Sequence, residues 1–114
     1  MLLIGTENSD DFEDDDIESI VRFGADMAIY HYECYPYEGS GYLLMKKGLV
    51  WFLLDLYHCS CYGPMDDIEN KSVRYETIEE LKDKASDELL DDIKPLLNLI
   101  PPEWLRSDAY RRGP

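Results

Sequence analysis

The sequence predicts an α+β fold: a three-stranded antiparallel sheet, four-stranded if Val73–Tyr75 adds an edge, followed by two C-terminal helices packed on one face. Three observations predict it. Residues 27–57 are rich in aromatic and β-favouring residues and are broken only by short glycine-bearing turns. Residues 77–100 repeat apolar side chains at helical spacing behind two capping residues. The strands come first and the helices after, which is the order of an α+β chain rather than of alternating βαβ units.

Each element has its own reason. Residues 1–16 read as an acidic N-terminal tail, since Gly5, Asn8, Ser9 and a run of aspartates favour turns and repel one another. Ile17, Ile20, Val21 and Phe23 give one or two helical turns that Gly24 stops. Met27–Tyr35 is the first strand, and Pro36 ends it. Tyr42–Met45 resumes as a strand after the turn Tyr37-Glu38-Gly39-Ser40-Gly41. After Lys46-Lys47-Gly48, the run Leu49–Tyr57 is apolar enough for burial on both faces. Thr77-Ile78-Glu79-Glu80 is a capping box that opens a helix with Ile78, Leu81 and Ala85 inward. Ser86 caps a second helix with Leu89, Leu90 and Ile93 inward, and Pro95 kinks or restarts it. Residues 17–105 thus form a single domain, with residues 106–114 as a C-terminal tail.

Charge is the strongest signal. The 114 residues carry 25 acids against 11 lysines and arginines, a net charge of −14. Eight of the acids fall within residues 1–20, which hold no base, and eleven fall within residues 66–92 beside four bases. Such a surface repels nucleic-acid phosphates and anionic membranes and suits a basic protein partner. A net charge of magnitude about 2–8 is enough for solubility, so the surplus asks for another explanation. We read Asp14, Asp15, Asp16 and Glu18 as one partner-binding acidic face and Glu79, Glu80 and Asp83 as a second, offering carboxylates where a DNA backbone would otherwise sit. Tyr35, Tyr37 and Tyr42 around the glycine turn are the matching aromatic interface residues. A Tyr-rich edge strand would also permit a homodimer. No apolar run reaches the ~20 residues that span a bilayer, and the expected setting is the cytoplasm.

Both histidines and all three cysteines lie in His31-x-x-Cys34 and His58-Cys59-Ser60-Cys61. Each cluster sits at a strand end. If those ends meet, Cys34, His58, Cys59 and Cys61 supply the thiolate and imidazole donors that Zn²⁺ takes in tetrahedral array. The alternative is that these cysteines pack as small apolar residues in a reduced protein. A cysteine nucleophile at Cys59 or Cys61 has no base shown within reach, and acidic surroundings disfavour its thiolate. No phosphate-cradling glycine loop, H-E-x-x-H or G-x-S-x-G motif is present. Catalysis is therefore not expected.

The string Tyr37-Glu38-Gly39-Ser40-Gly41, the Lys-Lys-Gly turn, the aromatic strand and His58-Cys59-Ser60-Cys61-Tyr62-Gly63-Pro64 resemble small uncharacterised proteins of bacteriophages and bacterial mobile elements. The resemblance covers about a quarter of the chain. It implies a phage–host, anti-defence setting in the host cytoplasm. There an acidic protein of this size would bind and inhibit a host nucleic-acid-binding enzyme as a DNA mimic. The other reading is a small zinc-binding structural or interaction module.

Overall fold

The computed structural model describes residues 1–59 and 63–105. Strands β2 (Met27–Cys34), β3 (Glu38–Lys47) and β4 (Val50–Asp55) form the expected antiparallel meander. Pro36 interrupts pairing at the first connection, where the Tyr35 N–H donates to the Glu38 carbonyl at 2.7 Å. The second connection is Gly48-Leu49, with Gly48 at φ 61°. Here a left-handed residue is needed and glycine supplies it at no steric cost. Strand β5 (His58–Cys59) prolongs β4 along β3, pairing Gly39 with His58 in the same register that pairs Tyr42 with Asp55. Strand β6 (Val73–Tyr75) pairs antiparallel with β4 and is the edge strand allowed for in the sequence.

The sheet is larger than expected and is mixed. Its order is β1-β2-β3-β4-β6, with β5 beside β3. Strand β1 (Leu2–Gly5) lies parallel to β2, so residues 1–16 are not a free tail. A parallel pair needs a long crossover, and helix α1 (Asp14–Phe23) is that crossover. The aspartates thought to repel one another in a tail form its first turn. Glu13 is the N-cap, its N–H donates to Asp16 at 3.3 Å, and Asp14–Asp16 sit at the positive end of the helix dipole. Gly24, at φ 96°, ends the helix as expected. Its N–H meets the Val21 carbonyl and that of Ala25 meets Ile20, a Schellman closure. The segment between β1 and α1 is tied to β2. Asp10 N–H donates to the Tyr32 carbonyl, its carboxylate accepts from the Cys34 N–H, and Phe12 packs on the rings of Tyr30 and Tyr32.

Two cores follow from strand alternation. On one face Ala28, Tyr30, Tyr32, Leu43, Met45, Leu54 and Leu56 pack against Phe12, Ile20 and Phe23, with Met65 and the short helix α2 (Ile68–Lys71) alongside. On the other face Ile29, Leu44, Trp51, Leu53 and Tyr75 meet Ile78 and Leu81 of α3 (Ile78–Lys84) and Ile93 and Leu96 of α4 (Asp87–Leu97). Trp104, in a 3₁₀ turn over Pro102–Leu105, completes that second core. The two C-terminal helices do share a face, as predicted, but α1 covers the opposite one, so the sheet is sandwiched. Both predicted caps form: Thr77 Oγ1 accepts from Glu80 N–H at 3.1 Å and Ser86 Oγ from Leu89 N–H at 3.1 Å. Helix α4 runs through Pro95 to Leu97, giving up the one hydrogen bond that a proline cannot donate to the Asp91 carbonyl. Among the described residues no helix is long and apolar enough to cross a membrane.

Candidate functional site

The face that meets α3 and α4 changes character at one rung. Its side chains are Met27 and Ile29 on β2, Leu44 and Lys46 on β3, and Trp51 and Leu53 on β4, all beneath the helices. The next rung is His31–Tyr42–Asp55. Beyond it stand Glu33 and Ser40, with Tyr57 next to them. The strands overrun the helices here, and Asp92 of α4 forms the wall. The result is an open groove of about 440 Å³ lined by His31, Glu33, Ser40, Tyr42, Asp55, Tyr57, Asp92 and the backbone of Gly41. On the opposite face of the same strand ends Tyr32 and Leu56 stay buried. Gly41 has a reason to be glycine: at φ 137°, a Cβ there would collide with the carbonyl of His31.

The groove is negative and internally organised. Thr6 Oγ1 hydrogen-bonds His31 Nδ1, which leaves Nε2 facing Glu33 at 3.7 Å. Asp55 is fixed by the Tyr57 N–H, which donates to it at 2.9 Å. Among the described residues no lysine or arginine lines the groove. Two phenols register the field. Tyr42 is raised above the usual tyrosine range, first by burial and then by the charges of Asp55, Asp92 and Glu88. The exposed Tyr35 is raised mainly by Glu33.

The sequence-predicted acids lie elsewhere and are not brought together. Asp14, Asp15, Asp16 and Glu18 belong to α1, and Glu79, Glu80 and Asp83 to α3, on opposite faces of the sheet. Several of them serve the fold. Asp16 caps α1, and partial burial is the main reason its carboxyl is pushed up. Glu18 pairs with Arg22 at 2.6 Å. Glu80 pairs with Lys84 at 2.7 Å and accepts from the Glu76 N–H, contacts that hold its carboxyl below the ordinary glutamate range. Asp14, Asp15, Glu79 and Asp83 are exposed on their helices. Of the tyrosines, Tyr42 lines the groove, while Tyr35 and Tyr37 stand exposed on the neighbouring β2–β3 turn.

The two cysteine–histidine clusters do meet at the sheet's end. Cys34 pairs with Gly39, and Gly39 pairs with His58, so the three share a rung. His58 is buried and its Nε2 lies 2.7 Å from the Tyr32 hydroxyl. Burial, then the Cys34 thiol beside it, pushes the Tyr32 phenol up. Gly39 leaves the space this pair occupies, since a Cβ would fall 2.9 Å from Tyr32 Oη and collide with the His58 ring. Cys34 is exposed and free. Among the described residues no three His, Cys, Asp or Glu side chains are grouped to hold a metal ion. Of the predicted ligands, Cys61 lies outside the described residues and only the backbone of Cys59 is described.

Sequence reasoning missed His31, Glu33, Asp55, Tyr57 and Asp92 as groove residues. A signal for the strand members existed: polar residues two apart at the ends of otherwise apolar strands, at 31 and 33, 40 and 42, 55 and 57. Asp92 had none, because its place depends on where α4 crosses the sheet. Comparison with protein-family models, curated proteins and solved structures finds no match for this chain, so the groove and the Tyr32–His58 pair stand on their own geometry.

Proposed function

We propose that this chain is an acidic protein-binding domain that presents ordered carboxylates to a basic partner surface in competition with nucleic acid. In the phage–host setting suggested by its motifs, it inhibits a host nucleic-acid-binding enzyme in the bacterial cytoplasm by mimicking DNA charge. The observation that supports this best is the groove. Among the described residues no lysine or arginine lines it beside its three carboxylates, Glu33, Asp55 and Asp92, whereas helical acids such as Glu18 and Glu80 are paired within the chain. Asp14 and Asp15, on a capped helix, extend the acidic surface on the other side of the sheet. Long-range attraction of this kind speeds encounter and falls steeply with salt.

The test is capture from a bacterial lysate at low salt, with elution by a double-stranded DNA oligonucleotide. The expected captives are nucleic-acid-binding proteins that DNA displaces, and that salt of about 0.5 M releases because it shortens the screening length. Captives that DNA cannot displace would refute mimicry.

A second reading, a zinc-binding structural module, is favoured by one observation, the shared rung of Cys34, Gly39 and His58. With Cys59 and Cys61 as further ligands, a chelator would lower the melting temperature of untagged protein. An unchanged transition would remove that reading.

A further inference from the structure

We propose that the groove at the end of the sheet is an anchor site for an arginine side chain of the partner protein. This rests on the reading of the chain as an acidic binding domain and specifies the chemistry of its contact. Among the described residues nothing covers this piece of sheet, two rungs deep, and what can cover it is constrained. Nucleic acid is repelled by its charge. An anionic or wholly apolar segment would bury Glu33, Asp55 and Asp92 without compensation, which is costly. A volume of about 440 Å³ exceeds what one ammonium group fills and lies within the range of ligand pockets, about 300–1,000 Å³.

Arginine fits better than lysine on two counts. The carboxylates come from three separate elements: Glu33 from β2, Asp55 from β4 and Asp92 from α4. A planar guanidinium with five donors can bridge two carboxylates at once, whereas an ammonium is a point charge on a mobile stem. The groove also holds two phenol rings, Tyr42 within it and Tyr57 at its rim, the latter 56% exposed and open to a stacked cation. His31, held by Thr6, fills the β1 side.

The experiment uses the full chain and two fluorescent peptides of equal charge, hexa-arginine and hexa-lysine, at low salt. The expected result is an affinity for hexa-arginine about tenfold higher than for hexa-lysine. The triple variant E33Q/D55N/D92N should abolish that preference. The variant D14N/D15N should weaken both peptides by the same factor and keep their ratio. All five positions are exposed, so the variants should keep the parent's circular dichroism and melting behaviour. Equal affinities both in the parent and in the variant with Arg106, Arg111 and Arg112 replaced by glutamine, or a preference that survives in the triple variant, would overturn the arginine site while leaving the acidic binding domain standing. Binding of neither peptide would overturn both. A preference that emerges only when Arg106, Arg111 and Arg112 are replaced by glutamine would assign the groove to the chain's own basic end and overturn the partner assignment.

Discussion

Replacing Gly39 by alanine tests whether the Tyr32–His58 pair is a built feature of the sheet's end. The new methyl would collide with His58 Nε2 and lie 2.9 Å from Tyr32 Oη, closer than real Cβ atoms approach. Its neighbours are two ring side chains already buried against the sheet, so one must leave. Overpacking of this kind costs about 1–3 kcal/mol. Separating the pair orphans a buried phenol and a buried imidazole nitrogen, for about 1–3 kcal/mol more. One displacement produces both effects, so they overlap, and the total should be roughly 2–4 kcal/mol. At this chain length about 4 °C of melting temperature corresponds to each kcal/mol, giving a fall of roughly 8–16 °C. The assay is thermal unfolding by circular dichroism of G39A, H58A and the double variant. Once the imidazole is gone the methyl meets little, so G39A should cost less than half as much in the H58A background. Gly48→Ala is the control. Gly48 needs a positive φ, which Gly39 does not, but it has open space around it, and the substitution should cost only about 1–2 kcal/mol. An equal G39A penalty with and without His58, or a penalty no larger than that of G48A, would refute the reasoning.

Other outcomes follow from the same coordinates. Ser86→Ala removes the cap of α4 and should cost about 1 kcal/mol in urea unfolding. Trp104→Ala empties a 3%-exposed position and should cost about 3–5 kcal/mol, whereas a loss under 1 kcal/mol would show that the 3₁₀ turn is not part of the core. Glu80 has a depressed folded-state pKa, so its contribution is full above the ordinary glutamate pKa and is lost as pH falls through the depressed value. E80Q should therefore be less stable than the parent at pH 7, with the gap closing toward pH 3. Asp16 has the opposite sign. Its raised pKa favours the protonated folded form, so stability is lost as pH rises through that value, and D16N, which still accepts from Glu13, should gain at pH 7 and not at pH 3.

The meander was legible because its signals are local. Pro36, Gly39, Gly41 and Gly48 punctuate three apolar runs, and each run pairs with its sequence neighbour. The helical caps at Thr77 and Ser86 were legible for the same reason. Strand β1 was not, because Leu2-Leu3-Ile4 becomes a strand only by pairing with β2, across a loop and a whole helix. The acidic run misled in an instructive way. Asp14–Asp16 repel one another as a chain, yet at a helix N-terminus they face unpaired N–H groups and a favourable dipole. With α1 taken for a fragment and its acids for a fringe, the second covered face of the sheet could not be foreseen. Cys34 and His58 were placed correctly at strand ends, but that they share one rung through Gly39 depends on the β3–β5 register, which short patterns do not encode.

Stability alone does not account for the groove. On the face beneath α1 the strand ends keep Tyr32 and Leu56 buried, so the sheet can close its end with apolar material where another element covers it. On the opposite face the same three strands turn polar at one rung, and the positions carry Glu33 and Asp55 rather than lysines that would offset a −14 chain. The Tyr42 phenol is raised first by burial and then by the like charges gathered around it, and a net charge of −14 already exceeds what solubility needs. Acids placed for the fold alone look like Glu80 or Asp16, each engaged with a backbone N–H at a helix start. Carboxylates set on three separate elements around a concave surface, with an exposed tyrosine at the rim, instead fit the proposed basic partner, whose positive charge they would meet.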